Sequence, residues 1–303
     1  MNEYLSLFLN NLLPIFLAAG AGYFLAKWLP IQAKTLSSIA FYIFGPCLVF
    51  SILTQSGLGN GDLLQVMIVG ILCVVGVGVI AWICGRALRL QRSALAAFLI
   101  SAMFMNAGNY GMPVTLFAFG ENALAFSSVF FVTNLLLVNT LGVFIASLGR
   151  ANLSQAAANL LKLPALYGLI LAVIFMMTGW KVPLPLERTT KLLGDASIPT
   201  LMVLLGVQFH TIKLKGNLAP LAAGSAIRLL ASPALMIGIS ALFGLHGAIR
   251  QAVILEAAMP SAVINTVLAT QYDADPPYVA GVVAATTLLS PFTLTPLLAF
   301  LGA

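Results

Sequence analysis

The stretch Asn106-Ala107-Gly108-Asn109-Tyr110-Gly111-Met112-Pro113 interrupts an apolar segment of membrane-spanning length that runs from about Ser93 to Phe119. Two glycines, a proline and two asparagines in one short run break a helix rather than extend it. Glycine is a poor helix former, and proline lacks an N–H and clashes with the preceding turn. Inside a bilayer, broken backbone is tolerated only where protein buries it or a wet cavity receives its free polar groups. A second interruption, Met259-Pro260-Ser261, follows about 150 residues later. The two breaks are read as facing each other and forming a transport site.

The composition agrees. Of 303 residues, 61% are hydrophobic and 7% charged, with a mean hydropathy of +1.05. Soluble domains carry roughly 25% charged residues, so the chain reads as an all-α polytopic membrane protein whose surroundings are a lipid bilayer. Its net charge of +6 is spread over short connections, which excludes a basic nucleic-acid footprint. Met1-Asn2-Glu3-Tyr4 has no basic region before the first apolar segment and no small-residue cleavage site after it. That segment is expected to be retained. Cys47, Cys73 and Cys84 fall in apolar segments and are expected to be buried free thiols, without disulfide or metal.

A span needs about 20 apolar residues. On that ruler ten spans are expected, near 5–28, 32–54, 63–85, 93–119, 122–148, 161–179, 189–210, 217–243, 249–271 and 277–301. With the N-terminus outside, the inside loops hold nine basic residues (Lys27, Lys34, Arg86, Arg89, Arg92, Arg150, Lys162, Lys213 and Lys215), and the outside loops hold Lys181, Arg188, Lys191 and Arg250. The excess inside favours an N-out, C-out orientation.

The halves repeat. Gly45-Pro46 in helix 2 is matched by Ile198-Pro199 in helix 7, about 153 residues on. Phe119-Gly120-Glu121 closing helix 4 is matched by Gln271-Tyr272-Asp273 closing helix 9. Five helices per half is odd, so residues 151–303 enter the membrane in the opposite sense to residues 1–150. An inverted repeat with paired broken helices 4 and 9 is the signature of a secondary transporter with a midplane site. No G-x-x-x-x-G-K-[ST] loop is present to use ATP.

Charges within spans are functional candidates because hydrocarbon makes them costly. They are Asp195, Arg228 and Glu256. Glu256 lies four residues before Pro260, where freed carbonyls would join its carboxylate in holding Na⁺, or where it would carry a proton. Its other reading is a structural acceptor for hydroxyls or an arginine. Arg228 either attracts an anionic substrate or neutralises Asp195 or Glu256, and Asp195 reads as structural or gating.

Around the breaks, Asn106, Asn109, Thr115, Ser261 and Asn265 offer donors and acceptors. Half-helices starting after Pro113 and Pro260 would aim free N–H groups at the centre, which suits a carboxylate. The asparagines also serve as plain caps. Gly108, Asn109, Pro113, Pro260 and Ser261 belong to the same expected substrate site. Thr133 and Asn134, in helix 5, line that cavity or bond a neighbouring helix.

An enzyme is not expected. Gly59-Asn60-Gly61-Asp62 and Tyr272-Asp273 spell intramembrane aspartyl-protease motifs, but in reversed order and at helix ends. No H-E-x-x-H occurs, and His210 and His246 lie apart at membrane edges.

These residues resemble the auxin efflux carrier family, which includes plant auxin exporters and bacterial carriers of small carboxylates. The likeness spans essentially the full length. It is carried by Asn106 to Pro113, Leu193-Gly194-Asp195-Ala196, Arg228-Leu229-Leu230-Ala231-Ser232-Pro233 and Ala257-Ala258-Met259-Pro260. The resemblance implies helices 4 and 9 crossing at prolines in a transport core of helices 3–5 and 8–10. It also implies a scaffold of helices 1, 2, 6 and 7, elevator-type alternating access and a homodimer. The plant members' long hydrophilic loop is replaced here by 149–160.

Glu256-Ala257-Ala258-Met259 is also similar to the E-x-x-M segment of bacterial bile-acid sodium symporters. That likeness implies a coupling-ion site for Na⁺ or H⁺ involving Glu256 and Met259, and no other cofactor. The expected function is secondary transport of a small organic anion, a mono- or dicarboxylate, in a bacterial inner membrane. An uncoupled uniporter or exporter and a non-transporting metabolite sensor are the alternatives.

Overall fold

Prolines inside apolar segments set the shape of this chain, because each forces the backbone to accommodate a ring and a missing donor. In the computed structural model, which describes residues 3–147, 160–211 and 218–303, four of them are absorbed in the same way. Pro14, Pro46, Pro113 and Pro233 each follow a wide π turn, at Phe8–Leu12, Ala40–Phe44, Ala107–Gly111 and Ile227–Ala231. The wider turn removes the clash with the preceding carbonyl, and the helix continues. Gly45-Pro46 therefore widens its helix without interrupting it.

The helices, in order, are α1 Glu3–Trp28, α2 Ala33–Ser56, α3 Asn60–Ala87, α4 Arg92–Met103, α5 Ala107–Ala146, α6 Pro164–Thr178, α7 Leu184–His210, α8 Leu218–Leu242, α9 Gly247–Ala257, α10 Ile264–Tyr272 and α11 Pro276–Leu301. Among the described residues, seven are long and apolar enough to cross a membrane: α1, α2, α3, α5, α7, α8 and α11. Helices α4 and α6 are shorter apolar helices. The chain is a multi-pass membrane protein.

The stretch expected as one span at 93–119 is divided between α4 and the first limb of α5. Gly120, at φ 75° and ψ −169°, then turns the chain into a second limb. Only glycine adopts that backbone without strain. The stretch expected at 249–271 is likewise divided between α9 and α10. Arg150, Lys213, Lys215, residue 148 of the fifth span, residue 217 of the eighth, the connection 149–159 and the boundary at 150/151 lie outside the described residues.

Helix α1 packs along α7, and α2 along α6 and the first half of α7. Gly206 and Gly22 let the α1 and α7 backbones touch, since a Cβ on either would overlap the opposite chain. The second group is centred on α9 against α5, with α3, α4, α8 and α11 around it. Its interior is fully buried by Val66, Val69, Phe98, Ile100, Val253 and Ile254. The breaks between α4 and α5 and between α9 and α10 both fall in this group.

Candidate functional site

The two breaks are one structure. Among the described residues, the only β-type pairing is an antiparallel bridge between Met105 and Ser261. Asn106 N–H donates to Pro260 O at 2.8 Å, and Ala262 N–H donates to Phe104 O at 3.0 Å. Backbone groups freed by one break thus satisfy those freed by the other, which buried polar groups require.

One of the two second half-helices, α10, starts after Pro260 as the sequence suggests, whereas the first limb of α5 starts upstream of Pro113. The first limb of α5 begins at Ala107, with Pro113 already inside its opening turns, whereas Pro260 lies in the extended crossing itself and α10 begins at Ile264. The cause is the π turn, which lets a helix start upstream of its proline. The Asn106 carbonyl holds that turn by accepting from Gly111 N–H at 3.0 Å. Both starts carry the amino-terminal end of the helix dipole.

Side chains brace the crossing from both sides. Asn134, on the second limb of α5, donates through Nδ2 to Met105 O at 3.0 Å. Asn265 donates through Nδ2 to Phe104 O and to Ser261 Oγ, both at 3.0 Å. Ser261 N–H donates to Thr286 Oγ1 at 3.1 Å. Because carbonyls take the amide nitrogens, Asn134 Oδ1 and Asn265 Oδ1 are left buried without a protein partner, as are Asn106 Nδ2 and Thr115 Oγ1. Asn106 therefore presents a donor, and Asn134 and Asn265 present acceptors.

Arg228 sits in the π turn of α8 with no exposed surface. It is not paired with Asp195 or Glu256. Its Nη1 donates to Ala102 O at 2.9 Å and Met103 O at 3.0 Å, at the end of α4. Its Nη2 donates to Ala257 O, at the end of α9, and to Ser232 Oγ. One guanidinium thus caps the carboxyl ends of both helices that run into the crossing, where the dipoles are negative. Of the amino-terminal ends beyond the crossing, that of α5 has the Glu256 carboxylate against Gly111 in its opening turn.

Glu256 is fully buried one residue before Ala257. Its Oε1 accepts from Ser127 on the second limb of α5, and Oε2 has no protein partner. The carboxylate lies against Gly111, where any Cβ would overlap it. That contact explains glycine at 111 by approach rather than by backbone conformation. Met259 is buried in the same turn, and its N–H donates to Glu256 O at 3.2 Å. Thr133, also buried, spends its hydroxyl on Val129 O of its own helix. Gly108 is held against Phe131, and Pro113 is buried.

Asp195 sits elsewhere. Its side chain is 64% exposed and faces Lys191 at 3.7 Å, one turn back on α7. Both border a cavity of about 470 Å³ between α1, α2 and α7 on one side and the two limbs of α5 on the other. Leu48, Ile52, Leu116, Phe117 and Met202 form its apolar wall, and Glu121 and Asn122 join the charged pair at its edge. Among the described residues, no three His, Cys, Asp or Glu side chains gather as a metal site would need.

Sequence reasoning missed Ser127, Gln208, Ser232 and Thr286. Ser232 was within reach, because it lies one helical turn after Arg228, where side chains meet. Nothing local distinguishes Ser127 from other serines in apolar helices.

Crossed half-helices inside a multi-pass helical bundle define a membrane transport protein. The chain belongs to the family described as membrane transport protein, that of the auxin efflux carriers, whose model matches residues 7–156 and 148–298. It is 28% identical over 261 residues to an uncharacterized transporter of Methanothermobacter thermautotrophicus, covering 86% of each chain. It is 27% identical over 266 residues to an uncharacterized transporter of Methanocaldococcus jannaschii, again covering 86% of each. Auxin efflux carrier component 6 of Arabidopsis thaliana is 28% identical over 136 residues, which is 42% of this chain and 23% of that protein.

Proposed function

We propose that this protein is a secondary carrier of a small organic anion, a mono- or dicarboxylate, in a bacterial inner membrane. It works by elevator-type alternating access on a 5+5 inverted repeat. The observation that carries this reading is the crossing at Met105 and Ser261, where two half-helices start at a shared, buried point lined by Asn106, Asn109 and Ser261. Arg228 neutralises the carboxyl ends that enter the crossing, and the amino-terminal ends that leave it favour an anion. The pairing of α1 with α7 and of α2 with α6 supports a scaffold distinct from the crossing group. The exposed aromatic residues Trp28, Tyr42, Tyr167 and Trp180 on or beside those helices suit a lipid or homodimer surface.

Coupling to Na⁺ or H⁺ falls to Glu256. A carboxylate removed from water needs a proton, a cation or several donors, and Glu256 has one hydroxyl and no basic side chain among its described partners. The plant relatives are auxin efflux carriers, which supports export as the second reading. Uptake of radiolabelled acetate, malonate, malate and indole-3-acetate into proteoliposomes, with and without Na⁺ and pH gradients, tests both. Saturable flux of one of them is the expected result, and its absence for all of them rejects the carboxylate reading.

A further inference from the structure

Asn109, buried in the π turn that opens α5, is bonded to a helix outside the crossing. Its Nδ2 donates to Oε1 of Gln208 at 3.2 Å, a residue 99 positions away on α7. The neighbouring Tyr110 meets Phe16 of α1 edge-on, with ring centroids 6.1 Å apart, and its hydroxyl bonds Ser290 Oγ of α11 at 3.0 Å. The π turn that opens α5 is therefore gripped from outside the crossing by α1 and α7, whose backbones are locked together at Gly206 and Ala19. The apolar cavity runs along the same seam, between Leu116 of α5 and Met202 and Val203 of α7.

Gln208 Oε1 is a carboxamide oxygen, and it takes a donor that a carboxylate oxygen would take more strongly, because charge-assisted bonds exceed neutral ones. The bond also fixes which way the Asn109 amide is turned. We propose that Gln208 is a positioning residue of the anion site. It stands in for a carboxylate oxygen on Asn109, keeps that amide turned toward α7 while no substrate is bound, and gives way when the substrate carboxylate arrives. This inference rests on the carboxylate reading above. It makes Gln208 a competitor of the substrate: the protein's own acceptor sets how tightly the anion binds.

The experiment is uptake of the carboxylate with the largest wild-type flux, measured in Gln208→Leu, Gln208→Glu, Asn109→Ala and the two double variants. Removing one neutral competing bond lowers the half-saturating concentration in Gln208→Leu by roughly three- to tenfold. Gln208→Glu, a charged competitor beside an anion, raises it by at least as much. The Gln208→Leu change does not persist in the Asn109→Ala background. Where that background transports nothing, a ligand-induced rise in unfolding temperature supplies the same comparison. An unchanged or raised value in Gln208→Leu overturns the proposal, as does a Gln208→Leu effect that survives Asn109→Ala.

A ligand-free arm separates this proposal from the function it rests on. Unfolding temperatures of Gln208→Leu, Asn109→Ala and their double variant are expected to be non-additive, the double losing no more than the worse single. Strict additivity overturns the pair even in a protein that transports carboxylates. If the wild type moves no carboxylate, the proposed function and the displacement fall together, and the same cycle still decides whether Gln208 orients Asn109.

Discussion

The backbone N–H of Asn106 donates to the carbonyl of Pro260 at 2.8 Å, and this bond makes each broken helix the partner of the other. Two breaks that would each be costly in hydrocarbon become one hydrogen-bonded crossing. The side chains around it then divide into those that hold the crossing and those with capacity to spare. Arg228, Asn134 and Asn265 hold it. Asn106 Nδ2 and Glu256 Oε2 have capacity to spare, and so do the Oδ1 atoms of Asn134 and Asn265.

Glu256→Gln is expected to keep the fold, because the amide matches the carboxylate in shape and still accepts from Ser127. Uptake in proteoliposomes should lose its dependence on the Na⁺ or pH gradient while exchange across the membrane continues. Gradient dependence equal to wild type would remove Glu256 from coupling.

Gly111→Ala pushes a methyl into the Glu256 carboxylate. Overpacking of this kind costs about 1–3 kcal/mol. The purified variant should unfold several degrees below wild type in a thermal-shift measurement. An additional Glu256→Ala change, by making room, should restore part of that loss.

Arg228→Lys should not rescue Arg228→Met. A guanidinium fork reaches carbonyls on two helix ends at once, and a single ammonium does not. Each carbonyl left unpaired costs about 1–3 kcal/mol. Both variants are expected to show a much lower unfolding temperature or to fail to purify as a monodisperse species. A lysine variant as stable as wild type would show that the fork geometry is dispensable.

Asn134→Leu removes the donor to Met105 O without changing bulk greatly. The orphaned carbonyl sits at the bridge residue, so a loss of about 1–3 kcal/mol should come with a lowered maximal uptake rate. The two readouts are unfolding temperature and initial flux at saturating substrate.

How much of this was legible in the residues depends on how locally each feature is encoded. The breaks were readable because glycine and proline act on their own turn, and Asn106 to Pro113 and Met259 to Ser261 bound the crossing. The site of the first break within that run was not readable. Whether Pro113 breaks a helix or sits two residues past a π turn depends on which carbonyl the turn can reach. Arg228 stood out as a charge among apolar residues, but its partners are main-chain carbonyls, which every residue possesses and no sequence displays. Asp195 looked like a charge within a span because it falls inside the apolar stretch 189–210, yet it lies at a helix junction beside a cavity, paired with Lys191. Gln208 belonged to a span and gave no signal, since its partner is 99 residues away.

The guanidinium of Arg228 and the carboxylate of Glu256 are both buried at one crossing, and Arg228 bonds the carbonyl of Ala257 next to Glu256, so with Glu256 ionised their formal charges cancel within it. The unloaded site then has almost no electrical reason to prefer one face of the membrane. A bound monoanion adds one uncompensated charge, worth about 2.3 kcal/mol for each 100 mV it traverses. Loaded and unloaded journeys would therefore respond differently to voltage, and a cation or proton joining Glu256 would erase the difference. On the proposed anion-carrier reading, the membrane potential itself would be a substrate-dependent throttle on the cycle.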